Sequence, residues 1–316
     1  MKAGDSKLVC PKVSIIIPNF RSLKDTMECL DSLRKITYPN YGVIIVQLSS
    51  KKDDARSLIE NYRNYVHLIE MDEDPGKAGM ENIAITYALK RGYDYILLLD
   101  NDMVVDPEFL TEMVKVAESK PEIGSVSPRL YDYHQPDRYG FPYEPSLGKG
   151  VAMYLRNIMV NLASGTASSG KYLDKVSRFN FTSGACCLLK RKMLESAGLF
   201  DPLFFWAAED MDLSLRAKKA GFDFVVVPSA KIWHKGRGGT RAKTPFSWYY
   251  TARSPIILAR KHFKFFALFL YIAYLFIFQI PIWFLESIIL TKSTKLIPVI
   301  ARGVRHGLSI DLKGSR

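Results

Sequence analysis

Apolar runs of strand length alternate with segments of helical spacing through the first third of this chain. The apolar runs cover residues 13–17, 43–46 and 95–99, and residues 66–70 are predicted as a further strand between the last two. Unbroken apolar runs are typical of parallel strands buried on both faces, and their alternation with helices predicts right-handed β-α-β crossovers. We therefore predict an α/β fold with a mostly parallel, Rossmann-like sheet and helices on both faces. Ligands of such sheets bind at the carboxyl ends of the strands, where Pro18, Gln47 and Asp100 lie.

The composition limits the class of protein. The 316 residues have room for one large domain and a tail, and 48% hydrophobic with 24% charged residues is typical of a globular chain. Much of the net charge of +12 lies in the last third, beside an apolar stretch, which favours an anionic membrane surface or phosphate-bearing ligands as partners. No helix-turn-helix, zinc-finger or RNA-binding motif is present, so we expect no nucleic acid partner. The four cysteines have no CxxC spacing, which fits a reducing compartment.

The apolar stretch at residues 265–290 contains one charged residue, Glu286, and one interior proline, Pro281. It exceeds the ~20 apolar residues that cross a bilayer core, so we expect a membrane-associated segment (residues 263–316) after the first domain (residues 1–262). Basic residues flank both ends, so the positive-inside rule gives no orientation. A spanning helix and an in-plane or re-entrant helix are both open, and the latter keeps both flanks on the cytoplasmic side. The soluble alternative is a buried hairpin of two helices broken at Pro281.

The regular alternation weakens in the second half of the chain. Residues 127–180, rich in Tyr, Pro, Gly and Ser, predict a long loop region, and long loops in compact domains are often functional. Beyond this region we predict a strand at 181–190, helices at 193–197 and 209–220, and a strand at 224–227 that ends at Pro228.

Two carboxylates, Asp100 and Asp102, directly follow the fourth predicted strand, residues 95–99. In an extended chain the side chains at i and i+2 point to the same side, so both reach the carboxyl end of the strand together. Hard oxygen donors of this kind suit Mg²⁺ or Mn²⁺. The alternative is an ordinary turn, because Asp and Asn are common turn residues.

A second acidic cluster, Glu209, Asp210 and Asp212, stands where a helix is predicted to begin. Carboxylates at this position are candidates for catalysis. They are equally able to cap the helix and oppose its dipole, and the cluster alone does not decide between these interpretations.

His234 follows the last predicted strand and precedes a loop that contains Lys235, Arg237 and Arg241. Lysines and arginines in a glycine-rich loop are suited to closing over phosphates. The alternative is a solvated basic loop that follows a structural histidine.

Together these segments resemble glycosyltransferase family 2, which has the GT-A fold, and particularly its rhamnosyltransferase-like members. The resemblance covers roughly residues 12–262. VSIIIPNF is similar to the opening strand of the family, GKAGMENIAI to its glycine-rich segment, and LLLDNDMVVDPEFL to its DxD strand. The long segment from FTSGACC through FFWAAEDMDLSLRAKKAG to KIWH is similar to the acceptor-side half. Residues 1–262 would then be a GT-A catalytic domain.

The resemblance implies roles for individual residues. The nucleoside pocket would be lined by Pro18, Asn19 and Phe20, and the rest of the donor site by Gln47, Gly76, Lys77, Asp100 and Asn101. Asp102 and His234 would hold Mn²⁺ or Mg²⁺, with Asp100 as a third candidate ligand. Asp210 would be the general base beside Glu209. The acceptor side would be shaped by Ser183, Gly184, Ala185 and Trp206.

One departure concerns the end of the second strand. Family members usually carry an aspartate there that meets the nucleobase, whereas this chain has Gln47. An amide both donates and accepts hydrogen bonds, so base recognition can differ. UDP-, dTDP- and GDP-linked donors are therefore all kept as candidates.

The implied function is inverting, metal-dependent transfer of a sugar from a nucleotide-sugar to a hydroxyl of a saccharide acceptor. A lipid-linked acceptor at the membrane fits the apolar tail, in the assembly of a cell-surface glycan or a glycoprotein glycan. A polyprenyl-phosphate sugar synthase is the first alternative. A non-catalytic GT-A-like subunit that binds nucleotide or glycan is the second, and Gln47 is its only support. A nucleotidyltransferase or a Rossmann dehydrogenase is disfavoured, because no GxGxxG follows the first strand.

Overall fold

A computed structural model describes residues 10–19, 22–50, 52–134, 139–141, 175–182, 184–236 and 244–312. These residues form a ten-stranded sheet with helices against it, followed by a helical C-terminal region. The predicted α/β class is confirmed.

The first part of the chain alternates as predicted. Its strands are β1 (Val13–Pro18), β2 (Tyr41–Leu48), β3 (Val66–Met71) and β4 (Tyr95–Leu99), separated by helices α1 (Leu23–Leu33), α2 (Lys52–Tyr62) and α3 (Gly76–Lys90). The middle part contains β5 (Met103–Val105), α4 (Phe109–Glu118), β6 (Ile123–Asp132), β7 (Tyr139–Phe141), β8 (Ser177–Phe179), β9 (Cys186–Lys190) and α5 (Arg191–Ala197). The last part contains α6 (Glu209–Lys219), β10 (Asp223–His234), α7 (Pro245–His262), α8 (Phe265–Thr291) and α9 (Ile297–Ser309).

The strands lie in the order β3-β2-β1-β4-β9-β6-β10-β5, with β7 paired to β6 and β8 to β10. Strands β3, β2, β1 and β4 are mutually parallel, and β9 enters antiparallel between β4 and β6. From β1 the chain first adds strands on one side and then returns to add β4 on the other. The carboxyl ends of β1 and β4 therefore flank a topological switch point, which is where sheets of this kind bind ligands.

The sheet separates two apolar cores. Ile15 and Ile17 of β1 pack on one face with α1, α2 and α4, while Ile16 packs on the other face with α3, α5 and α6. All three isoleucines are fully buried. Burying one such side chain stabilises the fold by roughly 1.5–3 kcal/mol, so the alternating faces of the central strands anchor both helical layers.

The prediction of a loop over residues 127–180 is wrong in three places, because β6 continues to Asp132 and the short strands β7 and β8 also lie in this range. Strand β6 buries small polar residues: the hydroxyls of Ser125 and Thr182 lie 2.7 Å apart inside the domain. A strand that satisfies buried hydroxyls in this way has no continuous apolar run. The predicted amphipathic piece at residues 151–162 lies outside the described residues.

The last strand does not end at Pro228 as predicted. Strand β10 continues through this proline to His234, and its register against β6 shifts between Val227 and Lys231. Proline has no N–H to donate to the ladder, so it is tolerated at such an irregularity. The continuation matters because it carries His234 to the edge where β4 ends.

Helix α8 is continuous from Phe265 to Thr291, so the alternative of a hairpin broken at Pro281 is wrong. A π-helical turn, Leu275–Gln279, precedes this proline. Proline has no N–H to donate and usually kinks or breaks a helix, and the wider π-turn before it lets the helix continue. The helix is long and apolar enough to cross a membrane, and only 17% of its most apolar window is buried.

A buried carboxylate joins the sheet domain to helix α7. Asp212 of α6 is fully buried, and it contacts Arg216 at 2.8 Å, Lys261 at 2.9 Å and His262 at 2.7 Å. Burial alone would raise the pKa of Asp212, but the hydrogen bond with His262 and the charge of Arg216 lower it to about 2. Lys261 also pairs with Asp201. Helix α7 is therefore fixed to the domain by charge as well as by apolar contact.

Replacing Asp212 by Asn should destabilise the fold by about 3 kcal/mol at pH 7, because it removes the buried carboxylate that Arg216, Lys261 and His262 share and leaves Lys261 with Asp201 alone. The folded pKa lies below the ordinary value of 3.8, so the stabilisation by Asp212 is present above that pH. It is lost as the pH falls towards 2. Chemical unfolding followed by tryptophan fluorescence at pH 7 and at acidic pH measures both effects. Asp223→Asn, whose partner Arg178 is exposed, is the control and should cost less than about 1 kcal/mol. Equal effects of the two substitutions would contradict this account.

Candidate functional site

Asp100, Asn101 and Asp102 form the turn between β4 and β5, at the switch point of the sheet. The Asp100 N–H donates to the Ala185 carbonyl at 2.9 Å, which continues the β4–β9 pairing up to the turn. Strand β5 pairs antiparallel with the end of β10, where His234 lies opposite Met103. The backbone of the turn is thus fixed on both sides before any ligand binds.

The three predicted metal ligands converge. One ligand atom each from Asp100, Asp102 and His234 lies within 4.8 Å of the others, and all three residues are partly exposed. His234 Nε2 is 3.2 Å from Asp102 Oδ1. Burial opposes charge on the imidazole, but the hydrogen bond with Asp102 and the two aspartate charges raise the pKa of His234. Two carboxylates and one imidazole, open on one side, fit Mn²⁺ or Mg²⁺ with sites left for phosphate oxygens.

Lys77 connects this acidic turn to the opposite wall of the crevice. Its Nζ donates to Asp100 Oδ1 at 2.8 Å and to the Gly184 carbonyl at 2.7 Å. Burial disfavours the ammonium charge, but the carboxylates of Asp100 and Glu81 hold the pKa of Lys77 well above its usual value. The lysine is therefore charged, and it restricts Asp100 to one orientation.

The start of α3 places Lys77. Gly76 has a φ of +72°, and a Cβ there would lie 2.2 Å from the Phe205 carbonyl, so no larger residue fits. The Lys77 N–H donates to the same carbonyl at 2.9 Å. The predicted donor residues Gly76 and Lys77 thus also fix the loop that precedes Glu209 and Asp210.

Asp210 faces Gly184 across the crevice. Its Oδ2 accepts from the Gly184 N–H at 3.1 Å, and its Oδ1 accepts from the Met211 N–H at 2.8 Å. A Cβ at Gly184 would lie 2.9 Å from Asp210 Oδ2, so glycine permits this approach. Asp210 is partly exposed, as a group that meets a substrate must be. Ser183, the other polar residue predicted on this side, lies outside the described residues.

Glu209 lies beneath Asp210 and is 5% exposed. Burial and the neighbouring Asp210 charge raise the pKa of Glu209 to about 7. Among the described residues none hydrogen-bonds to its Oε2. The preceding Ala207 and Ala208 have φ values of 66° and 70°, a conformation that L side chains adopt rarely and at a cost of order 1 kcal/mol. Strain of this kind is common where a loop is held in place for function.

The predicted donor-side residues Asn19, Gln47 and Asn101 are joined through Thr26 in one hydrogen-bonded network. Asn19 Nδ2 donates to Gln47 Oε1 at 2.8 Å, Thr26 Oγ1 donates to Asn19 Oδ1 at 2.9 Å, and Asn101 Nδ2 donates to Thr26 Oγ1 at 2.8 Å. Asn19 is 1% exposed and Gln47 is fully buried. The network ties β1 and β2 to the acidic turn. Pro18 at the end of β1 is buried as well, and Phe20 lies outside the described residues.

Lys235 does not extend towards a ligand as the sequence suggested. Its side chain is 2% exposed and is paired with Asp25 and Glu28 of α1. The lysine thus attaches the end of β10 to α1, directly beside His234. Arg237 and Arg241 of the predicted phosphate loop lie outside the described residues.

An aromatic cluster surrounds Trp206, the one ring that the sequence predicted on the acceptor side, and its other three rings were missed. Phe205 stacks on Tyr250 at 5.4 Å between ring centroids, Trp206 lies 5.5 Å from Phe246, and Phe246 lies 4.8 Å from Tyr250. These rings come from the segment before Glu209 and from the start of α7. The signal in the sequence was the pair of aromatic runs FFW and FSWYY. All four rings are at least partly exposed, so the cluster offers an apolar wall on the predicted acceptor side.

Comparison with known proteins gives one family match. The model of "Glycosyltransferase like family 2" matches residues 11–253, well over half of the chain. The chain is 29% identical over 238 residues to an O-antigen biosynthesis protein of Myxococcus xanthus, covering 73% of this chain and 18% of the relative. It is 30% identical over 146 residues to an N-acetylglucosaminyl-diphospho-decaprenol L-rhamnosyltransferase of Mycobacterium tuberculosis, covering 45% of this chain and 47% of the relative. The chain thus spans from under a fifth to about half of these relatives.

Among solved structures, a mannosyltransferase from Pyrobaculum calidifontis, in complex with GDP-Man and Mn²⁺, superposes with a TM-score of 0.56 at 17% identity. The match covers 96% of this chain and 77% of that one. At this identity the similarity concerns the fold, and it confirms the predicted GT-A architecture.

Replacing His234 by Ala or Asp102 by Asn should weaken Mn²⁺ binding more than about tenfold, because each removes a donor from a three-residue set. Isothermal titration of the purified full chain with Mn²⁺ measures the affinity. The control His67→Ala, at an exposed histidine of β3 on the far edge of the sheet, should bind like the parent chain. Unchanged affinity in both site variants would exclude this cluster as the metal site.

Proposed function

The chain belongs to glycosyltransferase family 2, and we propose that it transfers a sugar from a nucleotide-sugar donor to a saccharide hydroxyl, with inversion of the anomeric centre. One observation carries the proposal: the Lys77 ammonium lies between two groups of polar residues. The ligand atoms of Asp100, Asp102 and His234 converge on one side of it, and Gly184 contacts Asp210 on the other side. A metal-and-phosphate site thus faces a candidate base across one crevice.

On the donor side, Asp102 and His234 would hold Mn²⁺ or Mg²⁺, with Asp100 as the third ligand or as a contact to the ribose or sugar. A divalent cation bound there would neutralise the diphosphate charge that grows as the glycosidic bond breaks. Lys77, charged and held between Asp100 and Gly184, adds positive potential at the same place. UDP-, dTDP- and GDP-linked donors all remain candidates, since Gln47 is enclosed by the Asn19 network.

On the acceptor side, Asp210 would remove the proton from the attacking hydroxyl. Its carboxylate is partly exposed, oriented by the Gly184 N–H, and supported by the rigid start of α6. One base on the face opposite the leaving diphosphate suits a single displacement, which inverts the anomeric carbon. Glu209 is too deeply buried to meet a substrate and would act by keeping the loop and Asp210 in place.

The acceptor would be a lipid-linked saccharide, and the process the assembly of a cell-surface polysaccharide on the cytoplasmic side of the membrane. Three observations support this proposal. The aromatic wall around Trp206 is suited to the apolar face of a sugar ring, the apolar helix α8 is largely exposed, and one relative is named for a decaprenol-linked acceptor.

Asp210→Asn should lower kcat by ~10²–10⁴, the usual contribution of a general base, with little change in donor affinity. The assay follows nucleotide release from a panel of nucleotide-sugars with Mn²⁺ and a saccharide acceptor. Donor binding is measured separately, as the thermal stabilisation of each variant by the nucleotide-sugar with Mn²⁺.

The matched control is Asp223→Asn, at a partly exposed carboxylate that pairs with Arg178 at the start of β10. It should turn over like the parent chain. Near-normal turnover by Asp210→Asn would contradict the assignment of Asp210 as the base. Loss of thermal stabilisation by the donor in that variant would show that Asp210 contributes to donor binding instead.

A further inference from the structure

Helix α8 has two different faces. The buried face consists of residues four positions apart, each at most 6% exposed: Tyr271, Leu275, Gln279, Trp283 and Ser287. The other face carries large apolar side chains that are 53 to 88% exposed, including Phe265, Phe266, Phe269, Phe276, Ile277 and Phe278. Single exposed apolar side chains are ordinary, whereas a contiguous apolar face marks an interaction surface.

The π-turn Leu275–Gln279 keeps the buried residues on one side of α8. Residues four apart drift around a straight α-helix, because one turn holds ~3.6 residues. A π-turn holds more residues, so it rotates the following part back. Tyr274 Oη donates to Gln279 Oε1 at 2.6 Å across this turn. The buried stripe can therefore lie flat on its neighbours over the whole helix.

These neighbours are α7 and α9, which pack closely through two glycines. A Cβ at Gly303 would lie 2.5 Å from the Tyr249 carbonyl, and one at Gly307 would lie 2.8 Å from the Arg253 carbonyl. The contacts advance in the same direction along both helices, so α9 runs parallel to α7. Helix α8 joins the end of α7 to the start of α9, so it runs back beside them, and residues of all three helices share one core.

Helix α7 is in turn fixed to the catalytic domain. Arg253 donates to the Leu203 carbonyl and Ser254 to the Trp206 carbonyl, each at 2.9 Å. The ion pairs of Lys261 with Asp201 and Asp212 hold its other end. Helix α8 therefore lies along the flank of the domain and does not project away from it.

We infer that α8 lies in the plane of the bilayer surface, with its exposed face among the acyl chains and its buried face on the protein. This inference rests on the membrane association included in the proposed function. A spanning α8 would carry α9 into the hydrocarbon core, and each of its exposed residues Arg302 and Arg305 would cost ~2.5–3.5 kcal/mol there. In the plane, these arginines and the exposed Lys264, Lys292 and Lys295 reach anionic headgroups.

The start of α7 connects α8 and α9 to the aromatic cluster. Leu296, after the end of α8, shares a core with Trp248 at the start of α7. Phe246, two residues before Trp248, packs on Trp206 of the aromatic cluster. The start of α7 thus joins the membrane-bound helices to the aromatic cluster, so a carrier lipid held in the bilayer would present its saccharide on the acceptor side.

Two cysteine variants of the full chain, Lys264→Cys and Lys292→Cys, test the orientation directly. Cys10 is replaced by Ser, and the other three native cysteines are buried and do not react in the folded protein. The protein is added from outside to sealed vesicles that contain anionic phospholipid and is treated with a membrane-impermeant maleimide. Both ends should be labelled, because both stay on the outer surface, and labelling of only one end would overturn the inference.

A spin label at Ile277→Cys, in the middle of α8, gives the depth. In-plane binding places it about 5–10 Å below the headgroups, whereas a spanning helix places it near the bilayer centre, at about half of the ~30 Å core. Phe269→Glu should weaken vesicle binding about tenfold or more, since it removes one buried aromatic side chain from the lipid. The control Ile59→Glu, on an exposed apolar residue of α2, should bind normally.

Absence of vesicle binding by the full chain would overturn the in-plane inference and the membrane part of the proposed function together. The sugar-transfer chemistry is tested apart from it, by metal-dependent nucleotide release in detergent-free solution. A chain that releases nucleotide but does not bind vesicles would contradict the in-plane inference and leave the transfer chemistry supported. A chain that binds vesicles but releases no nucleotide would contradict the transfer chemistry alone.

Discussion

The ammonium group of Lys77 holds together two walls that come from distant parts of the chain. It contacts Asp100 on the metal side and the Gly184 carbonyl on the acceptor side, 2.8 and 2.7 Å away. Around it lie Glu81 and Glu209, both buried carboxyls whose pKa values are raised by burial. Without the lysine the carboxylates of this crevice would repel one another, because uncompensated charges in a poorly hydrated site are costly. The geometry of both walls depends on this one cation.

The proposed donor-binding residues and the proposed base come from different parts of the sheet domain. The turn after β4 and the end of β10 supply the proposed metal ligands. The start of α6 supplies the proposed base, and the aromatic cluster comes from the segment before α6 and the start of α7. Small residues make the two halves meet: Gly76 lets α3 approach Phe205, and Gly184 lets the chain approach Asp210. Helix α7 then links the aromatic cluster to α8, so that the apolar helix and the candidate site are parts of one packed body.

The sequence predicted the parts of the site that depend on local pattern. The four parallel strands, the carboxylates after β4 and the acidic start of α6 could be predicted because apolar runs and turn residues report on neighbouring positions. Long-range partners were not visible. Nothing local indicates that Lys77 reaches Gly184, that Lys235 is buried against Asp25, or that Gln47 is enclosed by Asn19. Strand β6 was missed because its buried serines interrupt the apolar pattern that marks other strands.

The central claim is that Asp102 and His234 hold the cation that binds the donor diphosphate. A crystal structure of the full chain with Mn²⁺ and a nucleoside diphosphate, with anomalous data collected for manganese, tests it most directly. The account predicts one strong anomalous peak within about 2.5 Å of Asp102 and His234, with phosphate oxygens completing the coordination. A diphosphate bound in the crevice with the manganese elsewhere, or with no manganese at all, would contradict it.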